Sequence, residues 1–234
     1  MIQPVSNTDI PDNIKFQTDF RYSDRKTKAE YVWRKYRPLL QNASVLDVGA
    51  DKCYLKDHLD ESTQYWGIGL GGNPDQQVDL ESGVLPFKPQ SFGCVLCLDV
   101  LEHIESIHAI FDELCRVSQR YVVISLPNPW ANFWRMLRKG GTPGKPFKFY
   151  GLPEERPEDR HRWFFGAADA SSFIECRAKK NNFSMRQMDY GQEARSVGWM
   201  VSLKRRIQTL GLAANIDRNS LYAGSVWAVL ERVA

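Results

Sequence analysis

The feature that most restricts what this chain can become is the rhythm of residues 43–126. Short apolar runs at 43–48, 65–70, 94–98 and 121–126 each stop at a glycine, aspartate or proline. Runs of this length without polar alternation suit strands buried on both faces, as in a parallel sheet sandwiched between helices. Parallel neighbours need long crossovers. Residues 101–117 supply one at helical spacing, with Leu101, Ile104, His108, Phe111 and Leu114 on one side. A shorter helix is expected over 53–59 and a short strand around Val78. Strands alternating with helices in this way predict an α/β protein with a doubly wound, mainly parallel sheet. Right-handed crossovers bring the C-terminal strand ends to one edge, where ligands bind in open sheets.

The flanks divide around that core. Residues 1–42 read as an irregular arm followed by an exposed helix over 24–40. Residues 43–130 form the alternating core. Residues 131–166 begin with a short helix over 130–139. A stretch rich in Gly, Pro and charge follows, too long for a simple connection and so expected to be a functional cover. Residues 167–234 are expected to add a helix at 167–179, a strand at 183–189, a helix at 197–210 and a final strand at 221–230. A length of 234 residues allows one sizeable core and is short for two, so a single domain is expected.

Composition excludes several classes. A formal charge of +3 does not by itself argue for nucleic acid or an anionic membrane. No apolar run approaches the ~20 residues that span a bilayer. Residues 1–12 are polar, without the apolar centre of a signal peptide. The five cysteines are Cys53, Cys94, Cys97, Cys115 and Cys176. Cys94 and Cys97 have CxxC spacing but fall on opposite faces of an apolar strand, which suits reduced core thiols rather than a metal or redox pair. A cytoplasmic location is expected.

Val45-Leu46-Asp47-Val48-Gly49-Ala50-Asp51 places a carboxylate at a strand end and then a glycine that lets the backbone approach a ligand. A dinucleotide fingerprint needs three glycines; here Gly49 stands alone. Asp79-Leu80 precedes Leu85-Pro86-Phe87. Leu98-Asp99-Val100-Leu101-Glu102-His103-Ile104 closes the fourth strand, and Ser125-Leu126-Pro127-Asn128-Pro129 the fifth. Taken in order, these segments resemble the motifs of class I S-adenosylmethionine-dependent methyltransferases, closest to the ubiquinone-biosynthesis-like branch. The resemblance implies a seven-stranded Rossmann-like sheet with an antiparallel last strand. It implies S-adenosylmethionine as cofactor, with Asp47, Gly49, Ala50, Asp51, Gly69, Leu70, Asp75, Asp79, Leu80 and Asp99 around it. The chain departs from the family in its first loop, Gly-Ala-Asp-Lys-Cys, and in Gly93, where an Asp is common. Gly69 stands where an acidic residue usually takes the ribose hydroxyls; Asp75, just beyond, is the candidate substitute.

On the acceptor side, Asp99, Glu102 and His103 fall within one helical turn. Their spacing resembles the Glu-x-x-Glu-His metal motif of small-RNA 3′-end 2′-O-methyltransferases and of some ubiquinone O-methyltransferases, which draw a further His from a later segment. His161, in Asp159-Arg160-His161-Arg162-Trp163, is the candidate here. The resemblance therefore implies a divalent Mg or Mn site at Asp99, Glu102, His103 and His161. The alternative is that His103 or His161 acts as a general base without metal. The cover, from Tyr150-Gly151-Leu152-Pro153 to Phe165, together with Asn128-Pro129-Trp130, resembles glycan-biosynthesis methyltransferases. Trp and Tyr faces suit sugars, and Arg160 and Arg162 suit anionic groups.

The expected activity is O-methylation of a glycan or small metabolite. The alternatives are an RNA 3′-end 2′-O-methyltransferase, against which the nearly balanced charge argues, and a catalytically degenerate binding protein of the same fold. The segment from Trp199 to Ile207 is amphipathic and basic. It can pack its apolar side on the domain, or touch a membrane that carries a glycolipid substrate. His58 and His108 are assigned no role.

Overall fold

The computed structural model describes residues 10–11, 13–139, 160–191 and 216–233, together with Met200, Leu203 and Ile207. A seven-stranded sheet runs in the order β3-β2-β1-β4-β5-β7-β6. Its strands are β1 (Ser44–Val48), β2 (Gln64–Gly69), β3 (Gln76–Gln77), β4 (Phe92–Leu98), β5 (Ser118–Pro127), β6 (Phe183–Tyr190) and β7 (Ser225–Arg232). β1 to β5 pair in parallel, and β7 inserts antiparallel between β5 and β6. The expected α/β architecture with an antiparallel last strand is therefore present.

Both faces of the sheet are covered. Val95 and Cys97 point into a core shared with α2 (Ile107–Val117) and α4 (Ala167–Lys180). Cys94 and Leu96 point into the opposite core with α1 (Arg25–Leu40). Cys94 and Cys97 thus lie on opposite faces as free thiols, and burial pushes both well above the ordinary thiol range.

Four expectations change. First, α1 is not an exposed helix: Tyr31, Val32, Tyr36, Leu39 and Leu40 are fully buried along one side. Most of its charges sit on the other side; Lys28 turns inward to Asp99, and Lys35 is buried and bonds to Asp189 at 2.8 Å and to the Tyr31 hydroxyl at 3.1 Å. Asp24 starts the helix with a reciprocal capping box to Thr27.

Second, 53–59 is a single 3-10 stretch, Tyr54–His58, entered through Cys53 at φ +54°. Third, the helix expected over 101–117 is broken. Asp99 takes φ +56°, one 3-10 turn follows at Leu101–His103, and α2 begins at Ile107. Fourth, the start of the last expected strand is a short helix, α5 (Arg218–Tyr222); β7 begins at Ser225. The reason is the Asp217 carboxylate, which accepts from the backbone N–H groups of Asn219 and Ser220 and nucleates a turn. The expected helix over 130–139 is α3 (Pro129–Lys139). The cover from 140 to 159, and 197–210 apart from Met200, Leu203 and Ile207, lie outside the described residues.

Candidate cofactor and acceptor site

A cavity of about 440 Å³ opens where β1 and β4 end. Asp47, Gly49, Ala50 and Asp51 line it from the first strand and loop. Leu98, Asp99, Glu102 and His103 line it from the fourth, and Arg25, Lys28, Ala29 and Val32 from α1. Asn132 and His161 also reach it.

The first loop is held by backbone constraints. Gly49 takes φ +81°, and a Cβ there would lie 2.2 Å from Val100 Cγ2. Glycine is therefore required for the β1 and β4 ends to meet. Gly72, at φ +78°, brings the loop after β2 onto Asp51 in the same way. The Gly49 and Ala50 amides both donate to the Ile68 carbonyl, at 2.8 and 3.0 Å. This fixes the loop and turns those donors toward β2.

Charge then shapes the interior. Asp47 is buried, and its carboxylate accepts from the Tyr65 hydroxyl at 2.8 Å. Burial pushes its pKa up to about 6, against the opposing pull of Tyr65 and Lys28. Burial works against ionised Asp99 as well. There the nearby Lys28 ammonium, bonded at 2.7 Å, and the Ser125 hydroxyl at 2.7 Å prevail and hold the carboxyl below its usual range. Lys28 Nζ also stands 5.0 Å from the Trp227 ring centroid. Arg25 pairs with Asp51 at 2.7 Å.

Beside these carboxylates, Glu102, His103 and His161 each offer one ligand atom, and the three atoms lie within 4.8 Å of one another. Glu102 is buried, and the two imidazoles meet edge to face with centroids 4.5 Å apart. Residues 160–163 are seated on the 3-10 turn by backbone-directed bonds. The Arg162 amide donates to the Glu102 carbonyl at 2.8 Å, and the Arg162 side chain to the His103 carbonyl at 2.9 Å. The Trp163 indole donates to the Ile104 carbonyl at 2.7 Å. The sequence-predicted juxtaposition of His161 with Glu102 and His103 is present. Asp99 is not part of that three-atom group; its charge is taken by Lys28.

The remaining predicted cofactor residues stand outside the cavity lining. Gly69 ends β2 beside Gly49, and Leu70 is exposed. Asp75 is occupied elsewhere, accepting from Gly67 N at 2.9 Å and from Lys56 at 2.9 Å. Burial would raise its pKa, but those two partners hold it low. Asp79 accepts from Glu81 N at 3.0 Å and starts a 3-10 turn whose Leu80 is buried. Sequence reasoning missed Arg25, Lys28, Tyr65 and Ser125. The Lys28–Asp99 pair spans 71 positions, and nothing local marks it.

The fold and this cavity at the strand ends define the class of protein: a Rossmann-like α/β protein with the methyltransferase sheet order. A family model described as a methyltransferase domain matches residues 70–126. Among solved structures, a SAM-dependent methyltransferase from Archaeoglobus fulgidus is 14% identical. That match covers 89% of this chain and 95% of that one, with a TM-score of 0.55. The methyltransferase domain of bacterial CtHen1-C is 15% identical, covering 89% and 98%, with a TM-score of 0.53. The [4+2]-cyclase SpnF is 11% identical, covering 94% and 87%, with a TM-score of 0.53. No curated protein matches the chain. At 11–15% identity the solved structures show the fold, and the family model matches only the central segment of the chain. The cyclase is a reminder that the fold alone does not fix the reaction.

Proposed function

We propose that this chain is an S-adenosylmethionine-dependent methyltransferase that acts on a hydroxyl of a glycan or small metabolite. The observation that carries the proposal is the cavity. Its volume falls within the ~300–1,000 Å³ of small-molecule sites. Four carboxylates, Asp47, Asp51, Asp99 and Glu102, line it beside an imidazole pair. S-adenosylmethionine supplies a methyl carbon on a positively charged sulfur, which suits a lining whose four carboxylates outnumber its two cations, Arg25 and Lys28.

The remaining work belongs to the chain. The lone pair of the acceptor oxygen displaces sulfur from the methyl carbon, and the oxygen must lose its proton. His103 and His161 are the groups placed to take it. The buried carboxylate of Glu102, 3.7 Å from His103 Nε2, stabilises the resulting imidazolium. One carboxylate oxygen and two imidazole nitrogens also make a ligand set suited to Mn²⁺ more than to Mg²⁺. An ion held there would lower the pKa of the hydroxyl instead. The same cluster favours a second reading, methyl transfer to the 2′-hydroxyl of an RNA 3′ end.

Calorimetry with S-adenosylhomocysteine tests the cofactor. Micromolar binding is expected, and no heat at millimolar ligand sinks the proposal in favour of a degenerate binding protein. Methyl uptake from labelled S-adenosylmethionine by nucleotide sugars, glycolipid fragments and short RNA then ranks the acceptors. Activity abolished by EDTA and restored by Mn²⁺ selects the metal route. Activity untouched by EDTA but lowered ~10²–10⁴-fold by His103→Ala or His161→Ala selects the general base.

A further inference from the structure

We propose that the outward stripe of α3 is a docking surface for an anionic phospholipid bilayer, on a helix whose other side reaches the cavity. Trp130, Phe133, Trp134 and Leu137 recur at i, i+3, i+4 and i+7 and so make one apolar stripe. In an ordinary globular helix that stripe faces the core. Here none of the four is buried, and Leu137 is 58% exposed. Phe164 (37% exposed) widens the patch, lying edge-on to Phe133 with centroids 5.9 Å apart.

The helix is held in this pose by its N-terminus. The buried Asn128 side chain accepts from the Ala131 amide and donates to the carbonyls of Asn219, Ser220 and Ala223. Asn132, on the next turn, lines the cavity. Asn132 lies on the other side of the helix from the stripe, so α3 stands between the cavity and any surface that the stripe touches.

The charge pattern says what kind of surface fits. Segments 129–153 and 194–216 carry nine of the 31 Lys and Arg and none of the 28 Asp and Glu, so the rest of the chain is net negative. Arg135 and Arg138 are exposed on α3 itself. The second acid-free segment presents its own exposed apolar spacing, Met200, Leu203 and Ile207, and Lys204, Arg205 and Arg206 share its sequence. Apolar stripes edged with cations are what an interfacial helix needs at an anionic headgroup layer.

The other occupants fit less well. Single-stranded RNA is gripped by flat aromatic faces; Trp130, Phe133, Trp134 and Phe164 are aromatic, but the most exposed apolar side chains, Leu137, Met200 and Ile207, offer no stacking face and gain only by entering an apolar layer. A second copy of the chain would set the same cations against each other. Among the described residues no helix is long and apolar enough to cross a membrane, so the contact is peripheral.

The test uses the full chain with vesicles of phosphatidylglycerol in phosphatidylcholine, against phosphatidylcholine alone. It is read by co-sedimentation and by a blue shift of tryptophan emission. Binding to the anionic vesicles is expected. Leu137→Glu should weaken it at least ~10-fold, and Arg135→Gln and Arg138→Gln about 5-fold each. None of these residues lines the cavity, so S-adenosylhomocysteine affinity should hold and confirms that the variants fold. Vesicle binding needs no cofactor, so this proposal and the methyltransferase reading can fail separately. No binding to anionic vesicles overturns the proposal, as does binding that ignores all three substitutions. So does a variant-sensitive affinity for single-stranded RNA, or a dimer broken by Leu137→Glu, where vesicles do not bind.

Discussion

Gly69→Asp should tighten cofactor binding. Gly69 ends β2, and a Cβ placed on it would lie 3.5 Å from Gly49 Cα and 3.8 Å from Ala50 N, ordinary contact distances next to two residues of the cavity lining. The substitution therefore needs no steric rearrangement, unlike at Gly49 or Gly72. A carboxylate at that point would accept hydrogen bonds from the ribose hydroxyls, each charge-assisted bond contributing ~1.5–3 kcal/mol. Repulsion from nearby Asp47 and Asp51 takes back about 1 kcal/mol in a solvated setting. For one such bond the net gain is then about 0.5–2 kcal/mol, or roughly 2–30-fold in Kd. Calorimetry with S-adenosylhomocysteine measures it. An analogue without ribose hydroxyls closes the cycle, because the gain must vanish there. Equal gains for both ligands, or no gain for either, would show that the end of β2 does not face the ribose.

Other substitutions probe the frame of the site. Gly49→Ala combines a left-handed φ with a Cβ 2.2 Å from Val100; a loss of about 2–4 kcal/mol is expected in chemical denaturation. Val100→Ala in the same chain should restore part of it. Lys28→Met removes the cation that holds the Asp99 carboxyl low. The acid limb of the pH–activity profile should then move to higher pH, with about 1 kcal/mol lost because Asp99 is partly solvated; an unmoved limb means Asp99 plays no part in turnover. Asp47 sets a pH dependence of stability. Its folded pKa of about 6 lies above the ordinary ~3.9, so its ionisation opposes folding. Its contribution to stability should fall by about 3 kcal/mol as pH rises from 4 to 6 and stay flat above that. Asp47→Asn should remove this slope in urea titrations run across that range.

How much of this was readable in advance follows from the range of each interaction. β1, β4 and β5 were legible because burial on both faces writes a continuous apolar run into the sequence, and β2 because its buried second half ends at a run of turn residues. The cluster of Glu102, His103 and His161 was legible because two of its members share a turn. What was misread has a common cause. The helix expected from Leu101 breaks after one turn because Ile104 is extended, at ψ 128°, before α2 begins at Ile107, a change of backbone that apolar spacing cannot announce. The helix α1 looked exposed because seven of its 16 residues are charged. Its buried face is set by Trp227, whose ring stands within 6.2 Å of Tyr22, Tyr31 and Tyr36 from the far end of the chain.

That long-range packing also gives the site its electrostatic logic. The aromatic group around Trp227 holds α1 against β5 and β7, and so carries Lys28 to the end of β4. Without that helix, Asp99 would be a fourth candidate ligand beside Glu102, His103 and His161, and the cluster would resemble a four-ligand cation site. With it, the acid is already neutralised and three ligands are left. How many ligands a divalent ion would find is thus set by a helix that contributes none of them. Lys28→Met should accordingly raise Mn²⁺ affinity, read directly by calorimetry on the cofactor-free protein. An unchanged or lower affinity would mean that Asp99 cannot turn toward the imidazoles even when released.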